Sequence, residues 1–251
     1  MSNAGSVMVS PGCIRHDYLF ASLESIATEK LFILPWQKTY KYDGLFINQY
    51  HHRLALSRLH DGETRINIGV DGFLLLADAL KLYELAYFCS GNILELGTFR
   101  GLSTSIMAEA CVDSGRKVVI DTVDINAEYS ADAKRGMDMR QAPGREVVQF
   151  HVADGAAFLS DASTAAKTYG FAFVDHCHAY QAVHDACAQL HHVLMPGAFA
   201  LFHDYTDPRN AHPDYPSYGV YQGVRDGLLA DRFEFWGIYG CCGLFQLAQT
   251  R

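Results

Sequence analysis

The sequence lacks the features that mark membrane proteins and disulfide-rich secreted proteins. No apolar run approaches the roughly 18 residues that a membrane helix needs, and the first residues do not show the basic-then-apolar pattern of a secretory signal. The seven cysteines are odd in number, scattered along the chain and without a CxxC pair, which argues against a disulfide framework and against a zinc site. We therefore expect a cytoplasmic protein in a reducing compartment.

Basic residues are also scarce. The formal net charge is -8, and there is no long run of lysine or arginine. Because sequence-independent binding to nucleic acid draws on clustered basic side chains, we expect neither a nucleic-acid substrate nor a membrane partner. Hydrophobic residues make up 49% of the chain, as in ordinary globular proteins, and 251 residues can bury a full core without covalent staples.

Regular periodicity is missing from the first part of the chain. Residues 1–70 are rich in aromatic and histidine side chains, and we predict that they form an N-terminal lid or oligomerisation segment ahead of one domain, residues 71–251. Residues 72–88 then repeat apolar side chains at helical spacing, with Asp71 as the predicted N-cap.

From residue 92 onward, short apolar strands alternate with helical segments. Strands separated by helices form a parallel sheet through right-handed crossovers, whereas two strands joined by a tight turn must be antiparallel. The sequence therefore predicts an α/β fold with a doubly wound, seven-stranded, mostly parallel sheet and a C-terminal antiparallel hairpin. The predicted strands are residues 92–96, 118–124, 147–152, 171–175, 198–203, 233–239 and 244–248.

The glycine pattern after the first strand is incomplete for a dinucleotide site. The strand runs into the sequence ELGTFRGLS, which begins at Glu95. A G-x-G-x-x-G motif needs glycine where Phe99 and Leu102 stand, and the missing glycine would let the backbone approach a pyrophosphate, so NAD is disfavoured. An acidic residue two places before Gly97 suits a ligand that carries an amino group and a positive charge. An ordinary glycine turn is the alternative.

Acidic residues also follow the next four strands, where open parallel sheets bind ligands. Asp124 can accept hydrogen bonds from ribose hydroxyls and Asp154 from an adenine amino group, although each could simply cap a helix. Asp175 and Asp204 end adjacent strands, so their carboxylates should lie close together, and a divalent cation would relieve their repulsion. His178, one short turn after Asp175, is placed to act as a base, or else it is a solvated histidine at a helix start.

Taken in order, these segments resemble the motifs of class I S-adenosylmethionine-dependent methyltransferases. ILELGTFRGLST, DTVDIN, VADGAAF and the terminal hairpin carry the general resemblance over residues 70–251. The pattern D-x-x-H-x-Y-x-x-V-x-D, followed by L-x-P-G and H-D, is similar to a branch of small-molecule O-methyltransferases that includes the metal-dependent macrolide-sugar enzymes. The resemblance implies a Rossmann-like methyltransferase fold and an enzyme of secondary metabolism that methylates a hydroxyl of a small molecule.

The resemblance also implies roles for particular residues. Asp175 and Asp204 would hold a metal, usually magnesium or else manganese, with His203 beside them, and His178 would be the general base next to a catalytic Asp175. The sequence departs from the sugar enzymes at His203, where they carry an acid, so a softer metal or none stays open. The implied cofactor-binding positions are Glu95, Gly97, Thr98, Gly101, Ser103, Asp124, Asp154 and Asp175.

Aromatic side chains are concentrated in the N-terminal segment and in the loop of residues 205–218, and we expect both to build the acceptor pocket of a homodimer. Ordinary core packing is the alternative for these rings. Two other classes stay open: a nicotinamide-dependent oxidoreductase, and a non-catalytic cofactor-binding protein in which Asp175, His178 and Asp204 would be incidental. The aromatic residues in question are Trp36, Tyr40, Tyr42, Tyr50, Tyr205, Tyr215 and Tyr218.

Overall fold

The computed structural model describes residues 47–57 and 66–248. Most of the predicted N-terminal segment lies outside these residues, so its role as a lid or oligomerisation element stays a prediction. The described part includes helix α1 (Gln49–Leu56), which packs against helix α2 (Leu76–Phe88). Within the described ranges, no helix is long and apolar enough to cross a membrane.

Strands and helices alternate through the rest of the chain, as the sequence predicts. The strands are β1 (Asn92–Leu96), β2 (Ile120–Asp124), β3 (Val148–Val152), β4 (Tyr169–Val174), β5 (Leu194–Phe202), β6 (Phe233–Tyr239) and β7 (Cys242–Leu247). The helices after α2 are α3 (Leu102–Asp113), α4 (Ala127–Met139), α5 (Gly155–Thr164), α6 (Tyr180–Val193) and α7 (Val220–Gly227).

The seven strands form one sheet in the order β3-β2-β1-β4-β5-β7-β6. Strands β1 to β5 pair with one another in parallel, and β7 is antiparallel to both β5 and β6. This topology confirms the predicted doubly wound sheet with a terminal hairpin. The strand order reverses between β1 and β4, and such a switch point opens a crevice at the carboxyl ends of the strands, where ligands bind.

Both faces of the sheet are buried, and alternate side chains of each strand serve opposite faces. Phe171 and Phe173 of β4 pack into one apolar cluster with α2 and α3. Ala172 and Val174 pack into a second cluster with α5, α6 and α7. This period of two is the geometry of a strand, and a parallel sheet covered by helices on both sides keeps its carboxyl edge as the open place for polar side chains.

Helix α2 begins later than the sequence predicts, and Asp71 is not its N-cap. The residue at the N-cap position is Leu75, whose backbone N–H donates to Asp78 Oδ2 at 2.7 Å. Asp71 instead forms an exposed ion pair with Arg100. The prediction of Asp71 was wrong because an acidic side chain inside the first turn, Asp78, satisfies the helix terminus from within.

Gly97 connects the end of β1 to the end of β4. Its φ of +103° lies in the left-handed region, and a Cβ at this position would stand 2.0 Å from the carbonyl oxygen of Asp175. The loop after β1 can therefore pass over the end of β4 only if this residue has no side chain.

Replacing Gly97 by alanine should cost more stability than the same change at a glycine without neighbours. Gly69 is the matched control, because its φ is +75° and no atom lies within 4 Å of a Cβ built there. Gly69→Ala should lower the free energy of unfolding by about 1–2 kcal/mol for the dihedral alone, and Gly97→Ala by about 1–3 kcal/mol more. Denaturant unfolding measures both; equal losses would contradict the close approach.

Candidate functional site

The loop between β1 and α3 shapes the first part of the site. Gly101 has a φ of +82° and stands at the N-cap of α3, and Phe99 adopts a φ of +45° that is uncommon for a residue with a side chain. Asp124 holds this loop, since its Oδ2 accepts the Phe99 N–H at 2.8 Å and its Oδ1 accepts the Asn126 N–H at 2.8 Å. The N-terminus of α3, where the first-turn N–H groups of a helix can bind a ligand, therefore follows closely on the end of β1.

Glu95 lies beneath the loop and is fully buried. Its carboxylate accepts hydrogen bonds from the hydroxyls of Ser103, of Thr104 at 2.5 Å and of Thr122 at 2.6 Å, and the Thr98 hydroxyl is 2.6 Å from that of Thr122. Burial raises the pKa of Glu95 to about 7, although the three hydroxyls oppose that shift. Glu95 and the hydroxyls of Thr98, Ser103, Thr104 and Thr122 therefore form one buried hydrogen-bond network under the loop.

Asp154 lies on the exposed side of the same edge. It is the N-cap of α5, and its Oδ1 accepts the Ala157 N–H at 3.0 Å. The capping role that the sequence offered as an alternative is present here. A carboxylate has about four lone-pair sites, so capping leaves acceptors for a ligand.

Asp175, His178 and Asp204 meet at the ends of β4 and β5. His178 Nε2 lies 3.5 Å from Asp175 Oδ1 and 3.3 Å from Asp204 Oδ2. The three side chains can each offer one donor atom to a metal ion, with all donor atoms within 4.8 Å of one another. The prediction that the two carboxylates lie close together with an imidazole beside them is confirmed.

His203 lies between the same carboxylates. Its Nδ1 is 3.1 Å from Asp175 Oδ1 and 3.4 Å from Asp204 Oδ1. Burial alone would raise the pKa of Asp175, but the charge of His203 and contacts with His178 and His203 lower it to about 2. Burial likewise opposes a charged His203, yet Asp175 and its other neighbours raise the pKa of the ring well above its ordinary value. Asp175 and His203 thus form an ion pair in which the imidazole is buried and the carboxylate is half-buried.

Two residues of the site were not predicted to contact Asp204. The Tyr218 hydroxyl donates to Asp204 Oδ2 at 2.6 Å, and its ring stacks on His178 with 5.1 Å between centroids. The Arg209 guanidinium lies 4.4 Å from the centre of the Tyr218 ring and 3.5 Å from Asp204 Oδ2. Sequence reasoning missed Arg209 because it lies in an irregular loop, whose position relative to the strand ends no periodicity reveals.

The predicted aromatic pocket is only partly present. Tyr205 is fully buried and packs against Tyr221 and Phe245, as the core-packing alternative expects. The apolar face of the terminal hairpin draws this ring into the core. Tyr215 is exposed, whereas Trp36, Tyr40 and Tyr42 lie outside the described residues, and Tyr50 stacks on Tyr83 in the α1–α2 contact.

Residues 94–205, which contain most of these strand ends, match a family model described as a methyltransferase domain. This part of the chain is therefore similar to a methyltransferase domain. The match confirms the predicted enzyme class, and together with the sheet order it confirms the class I fold.

Solved structures agree on the fold. One is the O-methyltransferase TomG from Streptomyces achromogenes, which is involved in tomaymycin synthesis and was solved in complex with S-adenosylmethionine. It superposes with a TM-score of 0.55 at 20% sequence identity, and the match covers 81% of this chain and 91% of that chain. Another is an O-methyltransferase from Bacillus cereus in complex with S-adenosylhomocysteine. It superposes with a TM-score of 0.56 at 17% sequence identity, and the match covers 84% of this chain and 96% of that chain. Among curated protein sequences, none matches this chain significantly.

The buried carboxylate of Glu95 makes the stability of this domain depend on pH. Its folded pKa of about 7 exceeds the ordinary 4.5, so the folded state binds more protons between these values, and stability falls as pH rises through that window. Glu95→Gln should be nearly neutral at pH 5 and should gain up to about 3 kcal/mol relative to the native protein by pH 8. Unfolding at both pH values tests this, with the exposed Glu234→Gln as control; a difference that does not change with pH would contradict it.

Proposed function

We propose that this protein is an S-adenosylmethionine-dependent O-methyltransferase that acts on a hydroxyl of a small-molecule acceptor. The observation that carries the proposal is the imidazole of His178 set against two carboxylates, Asp175 and Asp204, at the edge where the loop after β1 crosses β4. A cofactor bound on that loop would hold its methyl group close to the imidazole that takes the acceptor's proton. The O-methyltransferases of similar fold, described in complex with S-adenosylmethionine or its demethylated product, support the same cofactor.

The cofactor roles follow from the positions of the acidic residues. Asp124 has acceptor capacity left for ribose hydroxyls beyond its two backbone donors, and Asp154 faces outward at the next strand end, where an adenine amino group would find an acceptor. Gly97 and Gly101 let the loop backbone approach the methionine part of the cofactor. Glu95 contributes to cofactor binding through the hydrogen-bond network of hydroxyls that positions the loop, since its own carboxylate is not exposed.

The chemistry needs alignment and the removal of one proton. The acceptor oxygen forms a bond to the methyl carbon as the bond from that carbon to the sulfonium sulfur breaks, and the hydroxyl proton passes to His178. Holding the two reactants in line can supply several kcal/mol of the barrier reduction, and a positioned base typically adds about 10²–10⁴-fold. The His178 ring is partly exposed, with 39% of its side chain accessible, so an acceptor can reach it.

A divalent cation fits the donor set of the same cluster. Asp175 and Asp204 supply hard oxygen ligands of the kind that magnesium and manganese prefer, which leaves His178 to take the proton. When bound, such a cation would lower the pKa of the acceptor hydroxyl. Arg209 already offsets part of the charge of Asp204, and the assignment of His203 as a third ligand stays a prediction.

The acceptor would lie over His178 and Tyr218, whose stacked rings offer a flat surface to a planar or sugar-bearing molecule. We further propose that the enzyme works in the cytoplasm as a homodimer, with the N-terminal segment closing over the acceptor.

Removing the ribose-binding carboxylate should weaken cofactor binding. Adenosylhomocysteine should raise the melting temperature of the native protein by binding only the folded state. Asp124→Ala should bind it about 1–3 kcal/mol more weakly, because hydrogen bonds to the ligand and to Phe99 are both lost. Calorimetric titration measures the affinity, with Asp161→Ala on the exposed side of α5 as control. Unchanged affinity in folded Asp124→Ala would count against the assignment.

Loss of the imidazole should slow turnover without weakening cofactor binding. His178→Ala should reduce the rate by about 10²-fold or more, whereas His192→Ala, an exposed histidine on α6, should leave it unchanged. If a hard cation takes part, a chelator should abolish turnover, and magnesium or manganese should restore it. Normal turnover in folded His178→Ala would remove the base, and full activity in excess chelator would remove the cation.

A further inference from the structure

A second cluster of side chains with metal-ligand atoms lies beside Asp204, where Cys241 Sγ is 3.6 Å from Asp204 Oδ1; His203 is the residue that it shares with the site of the proposed methyl transfer. Asp78 in the first turn of α2, His203 after β5, and Cys241 and Cys242 at the β6–β7 turn each offer one donor atom, and the four atoms lie within 4.8 Å of one another. Asp78, His203 and Cys242 are buried, and Cys241 is half-buried.

The topology explains why these distant residues meet. β7 runs antiparallel to β5, so the turn before β7 returns to the carboxyl edge of the sheet, where β5 ends beside His203. The Cys241 N–H donates to Asp78 Oδ1 at 2.9 Å, and the Cys241 carbonyl accepts the Thr206 N–H at 3.2 Å. Backbone contacts thus hold the turn against both α2 and the segment after β5.

His203 supplies an independent reason to expect a ligand. Only 7% of the residue is exposed, and although Nδ1 pairs with Asp175, Nε2 makes no aligned hydrogen bond within the part of the chain that the structure describes. A buried polar atom without a partner costs about 1–3 kcal/mol. Nε2 points toward the cluster, 3.5 Å from Asp78 Oδ2, whereas Nδ1 faces Asp175. Metal-bound histidines commonly turn their other ring nitrogen to a carboxylate in this way.

Two distances within the cluster match those between neighbouring ligands of one zinc ion. Asp78 Oδ2 is 3.5 Å from His203 Nε2 and 3.5 Å from Cys241 Sγ. Zinc bonds to sulfur at about 2.3 Å and to nitrogen or oxygen at about 2.0–2.2 Å, so neighbouring donors of a tetrahedral site stand about 3.3–3.8 Å apart. Two thiolates and an imidazole also favour zinc over magnesium.

We propose that Asp78, His203, Cys241 and Cys242 bind a zinc ion at a structural site that joins α2, the end of β5 and the β6–β7 turn. The site has four protein ligands and therefore no open position for a substrate. It goes beyond the proposed methyl transfer and does not depend on it. Its consequence for the active site is positional, because a zinc-bound His203 would be fixed beside Asp175 and Asp204.

Cobalt substitution tests the site without any activity assay. Reduced, metal-free protein should bind one equivalent of Co²⁺ with the d–d bands of a tetrahedral complex and a sulfur-to-cobalt charge-transfer band, and excess Mg²⁺ should not displace it. Cys241→Ser and Cys242→Ser should each remove about half of the charge-transfer intensity and weaken zinc binding more than about 100-fold. The buried Cys111→Ser and the exposed Cys177→Ser should change neither property.

Alkylation of the native protein locates the site even if a variant does not fold. Added Zn²⁺ should protect Cys241 and Cys242 from a thiol reagent, as read by mass spectrometry of peptides, and should leave Cys177 reactive. If the native protein loaded with Co²⁺ shows no charge-transfer band, the proposal is overturned. The same holds if Cys241 reacts equally fast with the thiol reagent in the presence and absence of Zn²⁺.

Discussion

Carboxylates crowd the carboxyl edge of this sheet, and the rest of the site is arranged to compensate for them. Like charges so close together destabilise the folded state unless donors or cations stand between them. The negative charge of these carboxylates is compensated in different ways. Three hydroxyls donate to Glu95, His203 pairs with Asp175, and Tyr218 donates to Asp204. Asp78 accepts two backbone N–H groups.

This compensation also accounts for the strain at the edge. Asp204 adopts a φ of +55°, a conformation that costs a residue with a side chain of order 1–3 kcal/mol and persists only where its surroundings impose it. Asn210 holds the Asp204 carbonyl at 2.9 Å, and the loop of Arg209 and Tyr218 closes over the carboxylate. The site is thus preorganised: its charges are fixed before an acceptor arrives, and a methyl transfer that needs alignment benefits from that rigidity.

The sequence predicts what local spacing determines and misses what tertiary contact determines. The predicted limits of β1 match the observed strand, because an apolar stretch between polar residues fits few other structures. Asp175, His178 and Asp204 lie together because adjacent parallel strands bring their carboxyl ends side by side. The Asp78–Cys241 contact spans 163 residues, which no local pattern reveals. The scattered cysteines predicted no zinc site, yet the hairpin returns Cys241 and Cys242 to His203. A cysteine pair in a turn at the ligand-binding edge was the available signal.

The central claim is that this edge binds a sulfonium cofactor rather than a dinucleotide. Calorimetric titration of the same protein with adenosylhomocysteine and with NAD tests it most directly. We expect saturable binding of adenosylhomocysteine at one site per chain and no binding of NAD, because Phe99 stands where a pyrophosphate would need glycine. Binding of NAD without binding of adenosylhomocysteine would contradict the account and restore the oxidoreductase alternative.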